Sequence, residues 1–254
     1  MLTIVLATQK GGSGKSTLAI GLALAAIQAG QNVRLIETDS QGTLSNWQAR
    51  RPYAEPIVEP VYSAGDIEQR LQSLERSGVT LTIIDTAGGV SAATTAAIRY
   101  ADLCLIPARP NIADIEATAS TLSIVRAWNK PFAFVLNQTP IRGQRINNAA
   151  TALGEEAALD IAGVLAQPFI VMRNDHQDAL GAGLAVTEYA PTGKSADEVR
   201  GLWQWVEAKL NGVELDSSVI ADEQQTIGEL PAPSAEIIPA MFLHTPAKTA
   251  ELVS

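Results

Sequence analysis

The sequence predicts an α/β protein: a doubly wound, mostly parallel sheet with helices on both faces. Three observations carry that reading. Short continuous apolar runs recur along the chain (Leu2–Thr8, Val79–Ile84, Leu103–Ile106), and strands apolar on both faces are strands buried on both faces. Helix-length segments separate them, and alternation at this spacing implies right-handed crossovers between parallel strands. Apolar residues make up 46% of the chain but aromatics only 5%, so Ala, Leu, Ile and Val must fill the core, which suits helices laid on a sheet better than an all-β sandwich.

Taken in order, the first strand is Leu2–Thr8, followed by a glycine-rich loop and a helix from about Ser16 to Ala29 that Gly30 stops from the C′ position. Val33–Ile36 is the second strand. Three prolines make residues 51–62 a loop with short extended pieces. Asp66–Arg76 is helical, and the strand Val79–Ile84 ends at Asp85. Ser91–Tyr100 (helix), Leu103–Ile106 (strand), Ile112–Trp128 (helix) and Phe132–Leu136 (strand) continue the pattern. A helix at Asn147–Leu159, a short strand near Gly163–Leu165 and a last helix from about Ala196 to Leu210 complete it. Leu202, Val206 and Leu210 form the core stripe of that last helix, which assigns Trp203 and Trp205 to packing or interface. Residues 1–212 are therefore expected to form one domain. Residues 213–254, with prolines at 231, 233, 239 and 246 and scattered acids, are expected to be a disordered tail.

The formal charge of −9 argues against a protein that coats nucleic acid over its whole surface. Its distribution matters more. Of the 27 acids and 18 bases, seven acids and one base lie beyond residue 210, so the first 210 residues carry a net charge of only −3, which leaves room for a local basic patch. A lone cysteine, Cys104, cannot form an intramolecular disulfide, and in its apolar strand it reads as a small buried hydrophobe. With no leader-like start and no apolar stretch of spanning length, a cytoplasmic location is expected. His176 and His244 have no partners at metal spacing.

The chemistry concentrates in residues 10–17, Lys-Gly-Gly-Ser-Gly-Lys-Ser-Thr, between the first strand and the first helix. Gly11, Gly12 and Gly14 allow the tight backbone turns that bring N–H groups, including that of Ser13, against phosphate oxygens. The helix N-terminus adds its partial positive charge. Lys15 supplies a point charge for β- and γ-phosphates, the Ser16 hydroxyl is a Mg²⁺ ligand, and Thr17 reaches toward the α-phosphate. The alternative, a glycine turn ahead of a helix, does not explain the strand-loop-helix context. The expected ligands are ATP and Mg²⁺. Asp39 and Asp85 follow two other strands at the ligand edge of such a sheet, where an acid can hold metal waters or orient an attacking water. Helix capping after a strand is the alternative for both.

The loop resembles that of the ParA/MinD-type deviant Walker A ATPases, Lys-Gly-Gly-x-Gly-Lys-Ser/Thr, and the resemblance extends over about residues 1–210. Glu37-Thr38-Asp39-Ser40-Gln41-Gly42 is similar to the family's switch I, Asp-x-Asp-Pro-Gln-Gly, with Glu37 and Ser40 as departures. Leu81–Gly89 resembles the Walker B strand and switch II, with Ala87-Gly88 where many members have Pro-Pro. The resemblance implies catalytic roles for Lys10, Lys15 and Asp39, Lys10 acting across an ATP-bound dimer on the partner's nucleotide; a solvated loop lysine is the alternative for Lys10. It implies metal contacts for Ser16, Asp39 and Asp85, and adenine contacts for Asn137 and Pro168; loop punctuation is the alternative for the last two. Pro107–Pro110 with Asp114 resembles a dimer-interface and nucleotide-contact segment.

Nonspecific DNA binding is implied as well. Arg173, in a segment similar to the family's Pro-Arg-Asn, is the first candidate, with Lys194, Arg200, Arg142 and Arg145 behind it. The resulting expectation is a small ParA partition ATPase on the nucleoid, working with a ParB-like or other adaptor and with no membrane partner. Its cargo would be a plasmid, a chromosome or a protein cluster. The phosphate loop lies so near the start that an operator-binding helix-turn-helix ahead of it is not expected. A MinD-like membrane-cycling protein would need a basic amphipathic C-terminal helix, whereas this tail is acidic and proline-broken. An iron protein would need more than Cys104, and a tyrosine kinase of the related bacterial type a tyrosine-bearing tail. A dethiobiotin synthetase-like ligase on the same scaffold leaves Lys10 unexplained.

Overall fold

The computed structural model describes residues 1–89, 91–158 and 163–213. The tail expected from 213 onward, with His244, therefore lies outside the described residues apart from Val213, as does Leu159 at the end of one expected helix. The described elements run β1 (Leu2–Leu6), α1 (Lys15–Gln28), β2 (Val33–Glu37), α2 (Thr43–Arg50), β3 (Ile57–Pro60), α3 (Asp66–Arg76), β4 (Leu81–Asp85), α4 (Ala92–Arg99) and β5 (Leu103–Ala108). After these come α5 (Ile112–Glu116), α6 (Thr118–Ala127), β6 (Phe132–Thr139), α7 (Gln144–Ala157), β7 (Ile170–Val171), α8 (Asn174–Gly181), α9 (Val186–Tyr189) and α10 (Lys194–Leu210). The strands pair in the order β3-β2-β4-β1-β5-β6-β7, every pair parallel, which is the doubly wound α/β sheet expected.

β1 sits in the middle and sorts its side chains by strand period. Ile4 and Leu6 enter the core formed with α1, α8, α9 and α10. Val5 and Ala7 enter the opposite core with α3, α4, α6 and α7. Leu103 and Leu105 on β5 join the first core, Cys104 and Ile106 the second. Apolar side chains on both faces are why these strands read as unbroken apolar runs. α1 is apolar nearly all round, as a helix enclosed on several sides must be. It lies between the sheet and α10 so closely that a Cβ on Gly21 would stand 3.1 Å from Val199 Cγ1. Gly30 adopts φ +91° and the N–H of Gln31 returns to the carbonyl of Ala26, the glycine stop read from the sequence.

Three expectations need correction. The helix expected over 112–128 breaks into α5 and α6 around Ala117. There the Thr118 hydroxyl donates to Ile115 O at 2.7 Å, drawing on a carbonyl of the preceding helix. The strand expected at 163–165 makes one parallel bridge, Leu165 to Phe134, and the edge strand proper is β7. α7 begins three residues earlier than expected. The segment 51–62 holds a short extended piece as expected, β3, with Pro56 just ahead of it and Pro60 at its end, where the sheet edge tolerates a missing N–H.

α2, α8 and α9 were not read from the sequence. α2 is mostly polar and is held by tertiary contacts. Trp47 is fully buried, and its indole N–H donates to Leu184 O at 3.1 Å. The Arg51 guanidinium stacks on Trp47 and meets Glu188 in a two-pronged pair at 2.7 and 2.8 Å. Removing the indole should open a cavity in this layer. Trp47→Ala is expected to lower unfolding free energy by about 3–5 kcal/mol, read as a lower urea midpoint at unchanged slope.

Candidate nucleotide site

β1 delivers the chain to the C-terminal edge of the sheet, where Gly12 (φ +76°) and Gly14 (φ +89°) turn it through conformations that a side chain would strain. α1 then starts at Lys15 with no side-chain cap, leaving its first N–H groups available to an anion. Lys15 is buried, 7% exposed. Burial lowers its pKa from the usual lysine value, while Asp85 and Asp39 favour its charged form. Its Nζ lies 3.5 Å from Lys10 O, a long contact. Lys10 itself is exposed.

β4 pairs with β1 in register so that Asp85 stands opposite Leu6, one residue before the loop leaves the strand. Asp85 is fully buried. Its Oδ2 accepts the Ser16 hydroxyl at 2.5 Å and its Oδ1 has no partner among the described residues. A buried carboxylate oxygen without a donor is what a cation or its hydration water would satisfy, so Ser16 and Asp85 fit Mg²⁺. No group of three His, Cys, Asp or Glu capable of holding a metal occurs among the described residues. Mg²⁺ beside a phosphate chain commonly uses one or two carboxylates with phosphates and water. Burial raises the Asp85 pKa from 3.8 to about 7, against the opposing effects of the Ser16 hydrogen bond and Lys15.

Switch I is built differently from the expectation. Helix capping was the alternative for Asp39, but Glu37 does that work. Its buried carboxylate accepts the N–H of Leu44 at 2.6 Å, the N–H of Ser45 at 3.2 Å and the Ser45 hydroxyl at 2.5 Å, closing the first turn of α2. Glu37 was a departure from the family motif, and its extra methylene over Asp lets it reach across the intervening turn. Asp39, half-buried, accepts only the N–H of Gln41 at 2.9 Å, so one oxygen is free of protein partners among the described residues. In switch II, a Cβ on Gly88 would lie 3.4 Å from the Gly11 backbone, so this small residue lets the two loops run side by side.

β6 contributes Asn137 and Gln138. Asn137 Nδ2 donates to Ser13 O at 2.8 Å and Gln138 Nε2 donates to Gly12 O at 3.0 Å. Asn137 thus reaches the loop. Pro168 follows a cis peptide bond and packs on α10, where a Cβ on Gly201 would stand 2.8 Å from its Cδ. Gln138 was missed by the sequence reading, because a glutamine after a strand gives no signal of its own. Arg109 and Asp114 form a two-pronged ion pair at 2.8 and 2.9 Å that fixes α5 against the end of β5. Its guanidinium hydrogen bonds hold the Asp114 pKa down against burial.

The DNA candidates do not converge on one free patch. Arg173 is paired with Glu198 at 2.6 Å, and Arg200 bonds Asp197 at 3.1 Å and Pro191 O at 2.7 Å. Lys194, Arg142 and Arg145 are exposed. Cys104 is completely buried and its thiol is pushed up to about 12, which makes it inert. Trp203 and Trp205 are core residues, as expected. No described helix is long and apolar enough to cross a membrane.

A parallel α/β sheet with this loop between β1 and α1, and a β4 acid bonded to the loop serine, defines a P-loop nucleotide-binding protein. Residues 4–182 match the CobQ/CobB/MinD/ParA nucleotide binding domain, and the chain belongs to that ParA/MinD-type family. It is 30% identical over 129 residues to Protein ParA of Rhizobium radiobacter, a match covering 49% of this chain and 56% of that relative, little more than half its length. It is 26% identical over 205 residues to maintenance of carboxysome distribution protein A of Halothiobacillus neapolitanus, covering 78% of this chain and 92% of that one. The solved structure of the septum site-determining protein MinD from Pyrococcus horikoshii, complexed with Mg-ADP, gives a TM-score of 0.66 at 16% identity. That match covers 85% of this chain and 99% of the other, and it bears on fold alone.

Asp85 carries a testable pH dependence. Its folded pKa lies above its unfolded value, so its contribution to stability is full below about pH 4 and is lost as pH rises through about 7. Binding a cation requires the ionised form, so nucleotide affinity moves the other way. The Mg²⁺-dependent part of ADP affinity is expected to be about tenfold weaker at pH 6 than at pH 8, measured by calorimetry with and without chelator. The same pH slope in Asp85→Asn would overturn the assignment.

Proposed function

We propose that the chain is a ParA-type positioning ATPase. ATP closes a sandwich dimer across the exposed face of the phosphate loop, and the dimer holds nonspecific DNA. A ParB-like or other adaptor then stimulates hydrolysis to ADP and phosphate and releases it. The cargo class is a plasmid, a chromosome or a protein cluster, and the setting is the cytoplasm on the nucleoid. One observation carries this reading: a preformed phosphate loop whose second lysine, Lys15, is buried among the acids of the site while its first, Lys10, is exposed. Exposure leaves Lys10 available to a second molecule, and its place in the Lys-Gly-Gly-x-Gly-Lys loop supports the trans role. The names of the relatives, ParA and a carboxysome distribution protein, support the same class.

In this reading the N–H groups of residues 11–16 and Lys15 bind the phosphates, and Asn137 and Pro168 flank the adenine. Mg²⁺, when bound, would neutralise phosphate charge. Ser16 and Asp85 would hold it, and Asp39, with one oxygen free of partners among the described residues, orients the attacking water. Lys10 of each subunit adds positive charge where negative charge grows on the partner's nucleotide, as an arginine finger does. DNA contact falls to the exposed cations Arg142, Arg145 and Lys194 first. Arg173 and Arg200 would contribute only after giving up their present partners.

Lys10→Ala is expected to bind MgATP with little change yet stay monomeric with ATP in size-exclusion chromatography with light scattering. A variant that dimerises like the parent would refute the trans role. Asp39→Ala is expected to lose about 10²-fold or more in turnover and to accumulate as an ATP-bound dimer retained on DNA. Retention should weaken steeply with salt and disappear with ADP. Retention on anionic liposomes instead of DNA would favour a membrane-cycling protein.

A further inference from the structure

We propose that Gln138 is a positioning residue for the phosphate loop, acting with Asn137 as a pair of carboxamides that clamp two consecutive loop carbonyls. The proposal rests on the reading of residues 10–17 as the cradle for ATP. β6 is not a neighbour of β1, since β5 lies between them, yet both side chains reach across to the loop. In a regular strand, consecutive side chains point to opposite faces. Here they do not, because Gln138 takes φ +53° and the β6–β7 register shifts between Asn137 and Thr139. Such an irregularity re-aims a side chain, and the left-handed conformation is one that few residues other than glycine adopt.

The hydrogen bonds fix the polarity of the clamp. Asn137 Oδ1 accepts the N–H of Gln138 at 2.9 Å while its Nδ2 donates to Ser13 O, so a flipped amide would set donor against donor and acceptor against acceptor. A trans peptide is planar, with its C=O and N–H pointing in opposite directions. Holding Gly12 O therefore aims the N–H of Ser13 away from β6, and holding Ser13 O does the same for Gly14. These are two of the donors that a phosphate would meet. The clamp also accounts for the third loop glycine, because a Cβ on Gly14 would lie 2.2 Å from Asn137 Nδ2. The loop is thus oriented by β6 before any nucleotide arrives, which reduces the ordering that binding must supply.

The test is MgADP calorimetry and steady-state ATPase kinetics on the full chain carrying Gln138→Glu or Gln138→Asn. Gln138→Glu keeps length and shape but presents an acceptor to Gly12 O, and affinity should fall about tenfold or more. Gln138→Asn tolerates the left-handed backbone and keeps the amide, but is one methylene short, so the loss should be about three- to tenfold. In both, KM for ATP should rise with kcat nearly unchanged, and the melting temperature without nucleotide should stay close to that of the parent. MgADP affinity equal to the parent's in Gln138→Glu overturns the clamp, whether or not its melting temperature falls. A parent chain with no Mg²⁺-dependent affinity for ADP overturns the ATP reading itself, and with it the purpose assigned to the clamp.

Discussion

Two buried carboxylates at the same level of the sheet set the terms for everything around the loop. Glu37 and Asp85 stand opposite each other in the β2–β4 register, both fully buried, with Leu6 beside Asp85 on β1. Like charges this close in a low-dielectric interior raise each other's energy unless each is given donors or a cation. Glu37 has three donors from α2 and is satisfied by protein alone. Asp85 has one hydroxyl and one empty oxygen, and Glu37 adds to the pressure that lifts its pKa. The sheet thus leaves one carboxylate under-compensated at the mouth of the loop, with Lys15 a nearby cation that is itself poorly solvated. The protein alone does not complete this arrangement; a bound cation and phosphate would.

Much of this was legible in the sequence because it depends on local pattern. Strands buried on both faces are mostly apolar, and glycine is the residue best suited to a left-handed helix stop, so β1, β4, β5 and Gly30 could be placed from the sequence alone. The loop was legible because its glycines, lysines and serine are contiguous. The unreadable parts are held by distant partners. α2 is polar and short, and its first turn depends on Glu37 while its packing depends on Leu184 and Glu188. α8 and α9 gain their place by covering α1 rather than by their own periodicity. Gln138 was invisible for a similar reason, since its role exists only once β6 has been placed one strand away from the loop.

Charge shows the complementary failure. Resemblance to the family's Pro-Arg-Asn segment makes Arg173 the first DNA candidate, but a side chain's availability depends on what the fold sets against it. Glu198 on α10 reaches Arg173, and the same helix supplies Asp197 to Arg200, so both guanidinium groups are largely neutralised where they stand. An exposed pair such as Arg200–Asp197 is weak and exchanges readily with solvent. A phosphate could compete for Arg200, whose pair is exposed, more easily than for Arg173, whose pair is mostly covered. Of the DNA candidates, Arg142 and Arg145 near the start of α7 and Lys194 at the start of α10 are exposed.

The tip of β6 joins these themes. A central parallel strand could end cleanly at Leu136, buried and regular. Instead β6 runs on through Asn137 and Gln138, accepts a left-handed residue and a register shift, and leaves the strand facing the loop. Departures from regular geometry persist where surrounding contacts over-determine them. The contacts that do so here are the carbonyls of Gly12 and Ser13, on the opposite side of β5. A displacement of β6 would reach the peptide groups of Gly12–Ser13 and Ser13–Gly14 through these two side-chain hydrogen bonds. Glycine at position 14 follows from that geometry, since any larger residue would have to push the clamp aside to fit.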